Sequence, residues 1–386
     1  MLLSVACGSN LDSSVKETVS IAAPTEDIFS ASTGRKSSEP RVHTGDSEKG
    51  RPTPSSNPTR PPRATPTLKP AMKTDRTLET VKIAEAADEP LVFVTTWGGQ
   101  GTEGSLSTMG DNGKFFRPRG VGVAPDGTVY VVDTQNHRIQ KFTSQGVYQG
   151  QWGTEGSGDG EFDEPTGVAV APDGSVYVAD TENSRIQKFT SEGVFVTKWG
   201  EGPGPEKAYW ECCYQPRGVA VASDGIVYVG DTNPGRIMKF TPEGVVLGQW
   251  GTSGTDNGQF KSPYGVAMAP DGSVYVGDAG NNRIQKFTSE GTYVGQWGTK
   301  GNGDGEFFNP SGVAVGLDGS VYVADFANHR IQKFTSEGVF LTKWGKQGYF
   351  DGGQFNAPRG IAVAPDGSLY VADRDNNRIQ KFSPGS

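Results

Sequence analysis

Residues 117–142 read RPRGVGVAPDGTVYVVDTQNHRIQKF, and variants of this phrase occur six times in the chain. The copies begin at Arg117, Glu164, Gln215, Ser262, Asn309 and Ala357. The aspartate after each tyrosine run recurs at Asp133, Asp180, Asp231, Asp278, Asp325 and Asp373, at spacings of 47, 51, 47, 47 and 48 residues. A fixed period of this length indicates a repeat architecture in which each copy is one supersecondary unit.

Each copy contains four short runs that are typical of β-strands. GVAVA alternates valine with glycine or alanine, which predicts an innermost strand where only small side chains fit. An Asp-Gly turn joins it to VYVAD, and Asp-Gly between two such runs predicts a hairpin. The third run, RIQKF, has its Ile and Phe three residues apart, which predicts either a bulge or a strand buried on both faces. The fourth run, such as VFVTKWG, ends in Trp-Gly.

The number of fourth runs shows how the repeats would close into a ring. Trp-Gly ends such a run at Trp97, Trp152, Trp199, Trp250, Trp297 and Trp344. The last copy stops at Phe382 without a fourth run, whereas residues 91–98 (LVFVTTWG) are a fourth run with no copy before it. Pairing the two would remove both exposed sheet ends. The sequence therefore predicts an all-β fold, a six-bladed β-propeller over residues 91–386 that the N-terminal strand closes.

The repeated phrase P-x-G-V-A-V-x-x-D-G-x-V-Y-V-A-D-x-x-N-x-R-I-Q-K-F, with its Gly-rich link and Trp-Gly ending, resembles the NHL repeat. The likeness covers residues 91–382 and all six copies. The resemblance implies a propeller. NHL propellers serve as protein- or RNA-binding modules, as extracellular sensor heads of bacterial receptor kinases, and as lyases in peptide amidation. A fold that hosts such different proteins does not select one function.

The N-terminal part has a different composition. Residues 8–90 are dominated by Pro, Ser and Thr and hold few large apolar side chains, which predicts a disordered linker. Before it, Leu3-Ser4-Val5-Ala6-Cys7-Gly8 resembles the end of a bacterial lipoprotein signal, although the apolar run is short and has no basic start. We expect residues 1–7 to be a truncated signal with Cys7 as the lipidated residue, on an extracytoplasmic cell-envelope lipoprotein. The alternative is a cytoplasmic protein with a flexible head.

Charge limits the classes of partner. The chain carries a formal net charge of −8, and residues 1–90 hold 12 basic and 12 acidic residues, so the whole excess lies in residues 91–386. An acidic domain repels phosphate backbones at long range, which argues against non-specific nucleic-acid binding.

A candidate ligand-binding site lies at the start of each innermost strand. The residue between Pro and Gly is predicted to ring the mouth of the central channel, at Arg119, Thr166, Arg217, Tyr264, Ser311 and Arg359. Three guanidinium groups and a phenol at one opening predict a site for a carboxylate, phosphate or sulfate, held by forked hydrogen bonds. The alternative is that each arginine pairs with an acidic loop residue such as Asp163, Glu164 or Glu211.

The loops that join second and third strands share one face with the links between blades, and they vary while the strands do not. That face is the predicted recognition surface. The predicted contact residues are Tyr209, Trp210, Cys212, Cys213, Tyr214, His137, Phe326, His329 and Arg374. The first five lie in a link with four extra residues, whose aromatic side chains suit a contact anchor. In an oxidising compartment its two adjacent cysteines could form a vicinal disulfide; the alternative is two half-buried thiols.

Catalytic and metal-binding patterns are weak. The repeated aspartate and the arginine of N-x-R-I occur in every copy, which predicts structural roles. The amidating lyases of the resembled family use several histidines, but residues 91–386 contain only His137 and His329, too few for a zinc site. The Gly-Asp-Gly links at residues 158–160 and 303–305 lack the ligand pattern of calcium loops and are predicted to be turns.

We therefore predict a protein without metal or cofactor, a non-enzymatic recognition or scaffold propeller. It would be a monomer that binds a protein, peptide or glycan through its loop face. Two alternatives stay open: a propeller lyase of the peptide-amidating type, and a cytoplasmic NHL module that binds RNA or protein.

Overall fold

A computed structural model of the protein describes residues 91–99, 112–200 and 215–385. Within these residues, 24 strands form six four-stranded sheets, so the predicted all-β six-bladed propeller is confirmed. The predicted segments 1–7 and 8–90 lie outside the described residues, as do Cys7, Tyr209, Trp210, Cys212, Cys213 and Tyr214. None of the helices in the described ranges is long and apolar enough to span a bilayer.

The strands run antiparallel within each blade, from the channel outward. Blade 6 is completed by β1 (Leu91–Gly98). Blades 1 and 2 consist of β2 (Val121–Val123), β3 (Val129–Asp133), β4 (Arg138–Phe142), β5 (Tyr148–Trp152), β6 (Val168–Val170), β7 (Val176–Asp180), β8 (Arg185–Phe189) and β9 (Phe195–Trp199). Blades 3 and 4 consist of β10 (Pro216–Val221), β11 (Val227–Asp231), β12 (Arg236–Phe240), β13 (Val246–Trp250), β14 (Pro263–Met268), β15 (Val274–Asp278), β16 (Arg283–Phe287) and β17 (Tyr293–Trp297). Blade 5 and the rest of blade 6 consist of β18 (Pro310–Val315), β19 (Val321–Asp325), β20 (Arg330–Phe334), β21 (Phe340–Trp344), β22 (Pro358–Val363), β23 (Leu369–Asp373) and β24 (Arg378–Pro384).

Four of the turns between second and third strands contain a 3₁₀-helix of three residues. These helices are Thr134–Asn136, Ala279–Asn281, Phe326–Asn328 and Arg374–Asn376. Each ends at a residue in the left-handed conformation, at the x of N-x-R.

The ring is closed by β1, as the sequence predicts. It pairs antiparallel with β24, from Leu91 opposite Pro384 to Gly98 opposite Arg378. Trp97 at its end then packs on the next blade, with its ring centroid 5.9 Å from that of Phe142. The same Trp–Phe contact recurs between the other neighbouring blades, so the closing strand supplies one of six equivalent interfaces.

Glycine is required where the innermost strands meet around the axis. A Cβ on Gly120 would lie under 3.0 Å from the carbonyl oxygen of Thr166 in the next blade. The other five blades repeat this approach, and Gly360 of blade 6 meets the carbonyl oxygen of Arg119 in blade 1. The small residue of the GVAVA run therefore sets how closely the blades converge.

The third strand of each blade is buried on both faces, which is one of the two alternatives predicted for RIQKF. Ile139 and Phe142 are both buried, and so is Gln140 between them. The bulge lies in the neighbouring fourth strand: Lys141 and Phe142 pair with Gly150 and Tyr148, which leaves Gln149 of β5 as the extra residue. The same shift recurs in the corresponding pairing of every blade, between residues 93 and 95 on β1 in blade 6.

The repeated aspartate and arginine form a buried pair in each blade. The arginine Nε lies 2.6 to 3.0 Å from the aspartate Oδ2 in all six. The other carboxylate oxygen accepts a backbone N–H from the preceding link, as Asp180 does from Asp163 at 2.8 Å. The guanidinium group also binds link carbonyls, for example Arg185 with those of Gly158 and Glu161. These pairs hold each link to its blade, which is the predicted structural role.

Candidate functional site

The candidate site lies on the face that carries the turns between second and third strands and the links between blades. Hydrogen bonds from a backbone N–H of one blade to a side chain of the preceding blade join neighbouring blades there. The Ala357 N–H donates to Nδ1 of His329 at 3.0 Å, and the Arg117 N–H donates to Oδ1 of Asn377 at 2.7 Å. Asn282 accepts in the same way from Asn309, and His137 lies 3.3 Å from the Glu164 N–H. Both predicted contact histidines therefore bridge blades through Nδ1.

Five of the six predicted ring residues line a channel of about 60 Å³ on the propeller axis. They are Arg119, Thr166, Arg217, Tyr264 and Arg359. Thr166 and Ser311 are 2% and 3% exposed, and their hydroxyl groups are already engaged. Thr166 Oγ1 donates to the carbonyl of Arg217, and Ser311 Oγ lies 3.2 Å from the carbonyl oxygens of Pro358 and Arg359. These two short side chains therefore join neighbouring blades, and the side chains that surround the mouth are the longer ones of Arg119, Arg217, Tyr264 and Arg359.

The longer ring residues converge on Tyr264. The guanidinium carbon of Arg217 lies 5.3 Å from the Tyr264 ring centroid, and that of Arg359 lies 4.8 Å away. Arg359 also contacts the Phe326 ring, at 4.5 Å. Among the described residues, the buried Nε atoms of Arg119, Arg217 and Arg359 have no hydrogen-bond partner. Buried polar atoms are normally satisfied, so this cluster suits a ligand that supplies acceptors.

The charges at the mouth act on the phenol. Burial opposes ionisation of Tyr264, but the positive charges of Arg359, Arg119 and Arg217 outweigh it and lower its pKa to about 8. A phenol surrounded by cations ionises more readily than one in water. This marks the mouth as a place where negative charge is stabilised.

On this face, Arg119 and Arg374 have carboxylate partners. Arg119 Nη1 lies 3.2 Å from Glu164 Oε2, as the ion-pair alternative predicts for this residue. Burial would raise the pKa of Glu164, but a hydrogen bond from Gln135 and the charge of Arg119 lower it, so Glu164 is ionised. Arg374 pairs with Asp375 at 2.7 Å. No carboxylate within the described ranges pairs with Arg217 or Arg359, so the excess positive charge lies on the Tyr264 side.

A cleft of about 430 Å³ opens beside the mouth, above blades 4 and 5. Arg217, Tyr264 and Arg359 line both the cleft and the channel, so the two are continuous. The remaining wall is made of Thr232, Ser262, Ala279, Gly280, Asn282, Lys300, Phe308 and Asn309. Its volume is within the range of about 300–1,000 Å³ that small-ligand sites occupy.

The sequence predicts the ring residues but not this cleft. Ser262 and Asn309 begin successive repeats, at a position that differs in all six copies, and Phe308 directly precedes a repeat, at a position that holds five residue types in the six copies. That variation was the available signal, because the rest of the repeat hardly changes. The cleft itself arises because the ring brings a link of one blade beside the first strand of the next.

The residues at the mouth do not suit a metal ion. Among residues 91–99, 112–200 and 215–385, no three or more His, Cys, Asp or Glu side chains are grouped to hold one. Guanidinium groups repel divalent cations, so the donor set at the mouth fits an anion. In the Gly-Asp-Gly links, the carbonyls of Gly158 and Gly303 accept from Arg185 and Arg330, and Glu161 and Glu306 accept backbone N–H groups. These contacts agree with the predicted turns.

The comparisons with known proteins agree with this architecture. The NHL repeat family model matches residues 115–142, 162–189, 214–240, 260–287, 307–334 and 355–382. A search of curated protein sequences found no match.

Several solved structures share the fold at low identity. A Bacteroides thetaiotaomicron protein of unknown function is similar at 19% identity and a TM-score of 0.57, over 76% of this chain and 75% of its own. An auxiliary nutrient binding protein from the same organism has 17% identity and a TM-score of 0.56, over 76% of each chain. A Xanthomonas campestris gluconolactonase has 14% identity and a TM-score of 0.54, over 77% of this chain and 98% of its own. Their descriptions differ in function, so the likeness shows the fold alone.

Proposed function

The chain carries six NHL repeats, and we propose that it is a recognition propeller, a non-enzymatic module that binds a protein, peptide or glycan through its loop face. The channel mouth binds an anionic group of that ligand. One observation carries the proposal: Arg217 and Arg359 flank the buried Tyr264 at one opening, and neither arginine has a carboxylate partner among the described residues. A carboxylate or similar anion between them would accept forked hydrogen bonds from both guanidinium groups.

The electrostatics and the solved structures support binding of a discrete anion. Residues 91–386 are acidic as a whole, so a long polyanion is repelled while a single anionic group meets the local excess of arginine. A nutrient binding protein among the solved structures shows that this fold can serve recognition, although its ligand does not transfer to this chain.

The test compares the full chain with two variants on an array of peptides and glycans. Arg359→Ser introduces the residue that blade 5 carries at the same position, Ser311, so the backbone should tolerate it. Lys141→Gln is the control and also removes one positive charge. Lys141 pairs with Glu192, which lies in a turn between third and fourth strands, on the opposite face of the propeller. We expect binding to acidic array members that Arg359→Ser weakens and Lys141→Gln preserves. Binding that both variants weaken equally, or stoichiometric zinc with an activity lost on chelation, would contradict the proposal.

We further propose that the propeller is exported as a monomer and anchored through a lipid on Cys7, from the resemblance of the residues around it to a lipoprotein signal. Expression in a bacterial host with a labelled fatty acid, with a basic and apolar leader joined before Leu3, should label the protein, and Cys7→Ser should abolish the label. An unlabelled protein in the cytosolic fraction would contradict this and favour the cytoplasmic alternative.

A further inference from the structure

We infer that the ligand of this mouth is an acidic saccharide, with a uronate carboxylate between Arg217 and Arg359 and its sugar ring in the adjoining cleft. This inference rests on the proposed function and names the class of ligand. It starts from the continuity of the cleft with the channel, since Arg217, Tyr264 and Arg359 line both. An anion at the mouth therefore carries its attached group into the cleft.

The anion site is displaced from the propeller axis. Arg119 is neutralised by Glu164, whereas Arg217 and Arg359 have no carboxylate partner among the described residues. The rings of Tyr264 and Phe326 hold the Arg359 guanidinium between them, at 4.8 and 4.5 Å. A guanidinium fixed on aromatic faces loses little freedom when it binds a planar carboxylate. The channel offers only about 60 Å³, so the body of the ligand lies in the cleft.

The wall of the cleft favours a polyhydroxylated ring. Amide and hydroxyl groups come from Asn282, Asn309 and Ser262, and from Thr232, whose hydroxyl donates to the Pro263 carbonyl; among the described lining residues, only Ala279 has a purely aliphatic side chain. An extended peptide is usually recognised through several pockets for its alternate side chains, whereas the described wall offers a single exposed aromatic ring, that of Phe308. Asn282 uses Oδ1 to accept from the Asn309 backbone, and no partner for its amide nitrogen is present in the described ranges. Sugar hydroxyls can both donate to and accept from such groups.

One aromatic side chain completes the cleft. Phe308 is 45% exposed, and the Lys300 ammonium lies 5.0 Å from its ring centroid. An exposed aromatic ring beside polar groups presents a flat apolar surface, which suits the C–H face of a sugar. Lys300 adds a positive charge over one face of this ring, which favours an acidic ligand further.

The experiment uses the full chain and matched probes. D-galacturonate and D-galactose differ only in the carboxylate, sodium acetate supplies the carboxylate without the ring, and an N-acetylated Gly-Gly-Asn peptide supplies it on a peptide. Binding is measured by ligand-observed NMR at low salt. Arg359→Ser removes the anion site, and Phe308→Asn introduces the residue of blade 6 at this position, Asn356. Lys141→Gln is the control.

We expect galacturonate to bind at least about tenfold more tightly than galactose, the difference typical of a hydrogen bond to a charged group. Arg359→Ser should remove this preference, Phe308→Asn should weaken galacturonate but not acetate, and Lys141→Gln should change neither. If galactose binds as well as galacturonate, the inference is wrong. If acetate or the peptide matches galacturonate and Arg359→Ser weakens them, the inference is wrong while the proposed function stands. If no probe responds to Arg359→Ser, both are wrong.

Discussion

The guanidinium carbon of Arg359 lies 4.8 Å from the ring centroid of Tyr264, although the two residues belong to blades 6 and 4. The contact spans blade 5 because the ring residue there is Ser311, whose short side chain turns to the carbonyls of Pro358 and Arg359. A larger residue at position 311 would separate the two. The shape of the mouth thus depends on where the two short side chains, Thr166 and Ser311, lie among the four long ones.

Ionisation of Tyr264 should make anion binding depend on pH. The charged groups around the phenol are Arg359, Arg119 and Arg217, which lower its pKa to about 8 against the effect of burial, together with Lys300 in the cleft and Glu164 on Arg119. Above this pKa the phenolate repels a bound anion. The affinity for galacturonate or acetate should therefore be constant below about pH 7 and fall as pH rises through 8, by at most about tenfold per unit for one proton.

Tyr264→Phe removes the titrating group and should give an affinity that stays constant from pH 6 to 9. The two pH profiles can be measured by titration calorimetry. If the affinity of the parent and that of Tyr264→Phe change with pH in the same way, a group other than Tyr264 causes the pH dependence.

The repeat makes most of this fold predictable. The position of Asp180 in VYVAD predicts a turn that needs a carboxylate, and the missing fourth run after Phe382 predicts its pairing with β1. The repeat does not predict which mouth arginine forms an ion pair. Glu164 pairs with Arg119 because the packing of blades 1 and 2 brings the two side chains together. The cleft is not predictable from the sequence for the same reason, because Lys300 and Ser262 line one cavity only once the blades have packed. Short-range patterns determine the strands, and packing between repeats determines the site.

Breaking one buried Asp–Arg pair should be far more destabilising than breaking an exposed ion pair. Asp180 accepts from Arg185 Nε at 2.6 Å and from the Asp163 backbone, and its side chain is fully buried. Asp180→Asn leaves the guanidinium buried without its counter-ion, which should lower the free energy of unfolding by about 3–5 kcal/mol. Glu337→Gln, which removes the exposed partner of Lys286, should cost less than about 1 kcal/mol. Urea unfolding measures both; equal losses would show that the buried pairs do not hold the links.

His329 should make stability depend on pH in the acid range. Burial lowers its pKa against the opposing charges of Asp373, Asp375 and Asp325, and its Nδ1 accepts the Ala357 N–H, which a proton there would prevent. The unfolded chain therefore binds a proton at higher pH than the folded chain does. Stability from this group is complete above pH 6.5 and is lost as pH falls from there towards the lowered folded pKa.

His329→Asn tests this, because Asn282 and Asn377 accept the same backbone hydrogen bond in other blades. The variant should match the parent's melting temperature at pH 8 and exceed it at pH 5. A difference that is the same at both pH values would mean that His329 does not titrate as the structure indicates.

The closing strand β1 should contribute as much to the stability of the propeller as any other fourth strand. Trp97 contacts Phe142 of blade 1 and Tyr370 of its own blade, whereas Val94 on the same strand is 51% exposed. Trp97→Ala removes packing at the only interface where the two ends of the propeller meet among the described residues, and should lower the free energy of unfolding by about 3 kcal/mol or more. Val94→Ala, the matched control, should change it by less than about 1 kcal/mol.

Deletion of residues 91–98 should abolish cooperative melting, because β24 would be left as an unpaired edge that exposes Phe382. A deletion variant that melts like the parent in calorimetry would show that the ring closes in some other way.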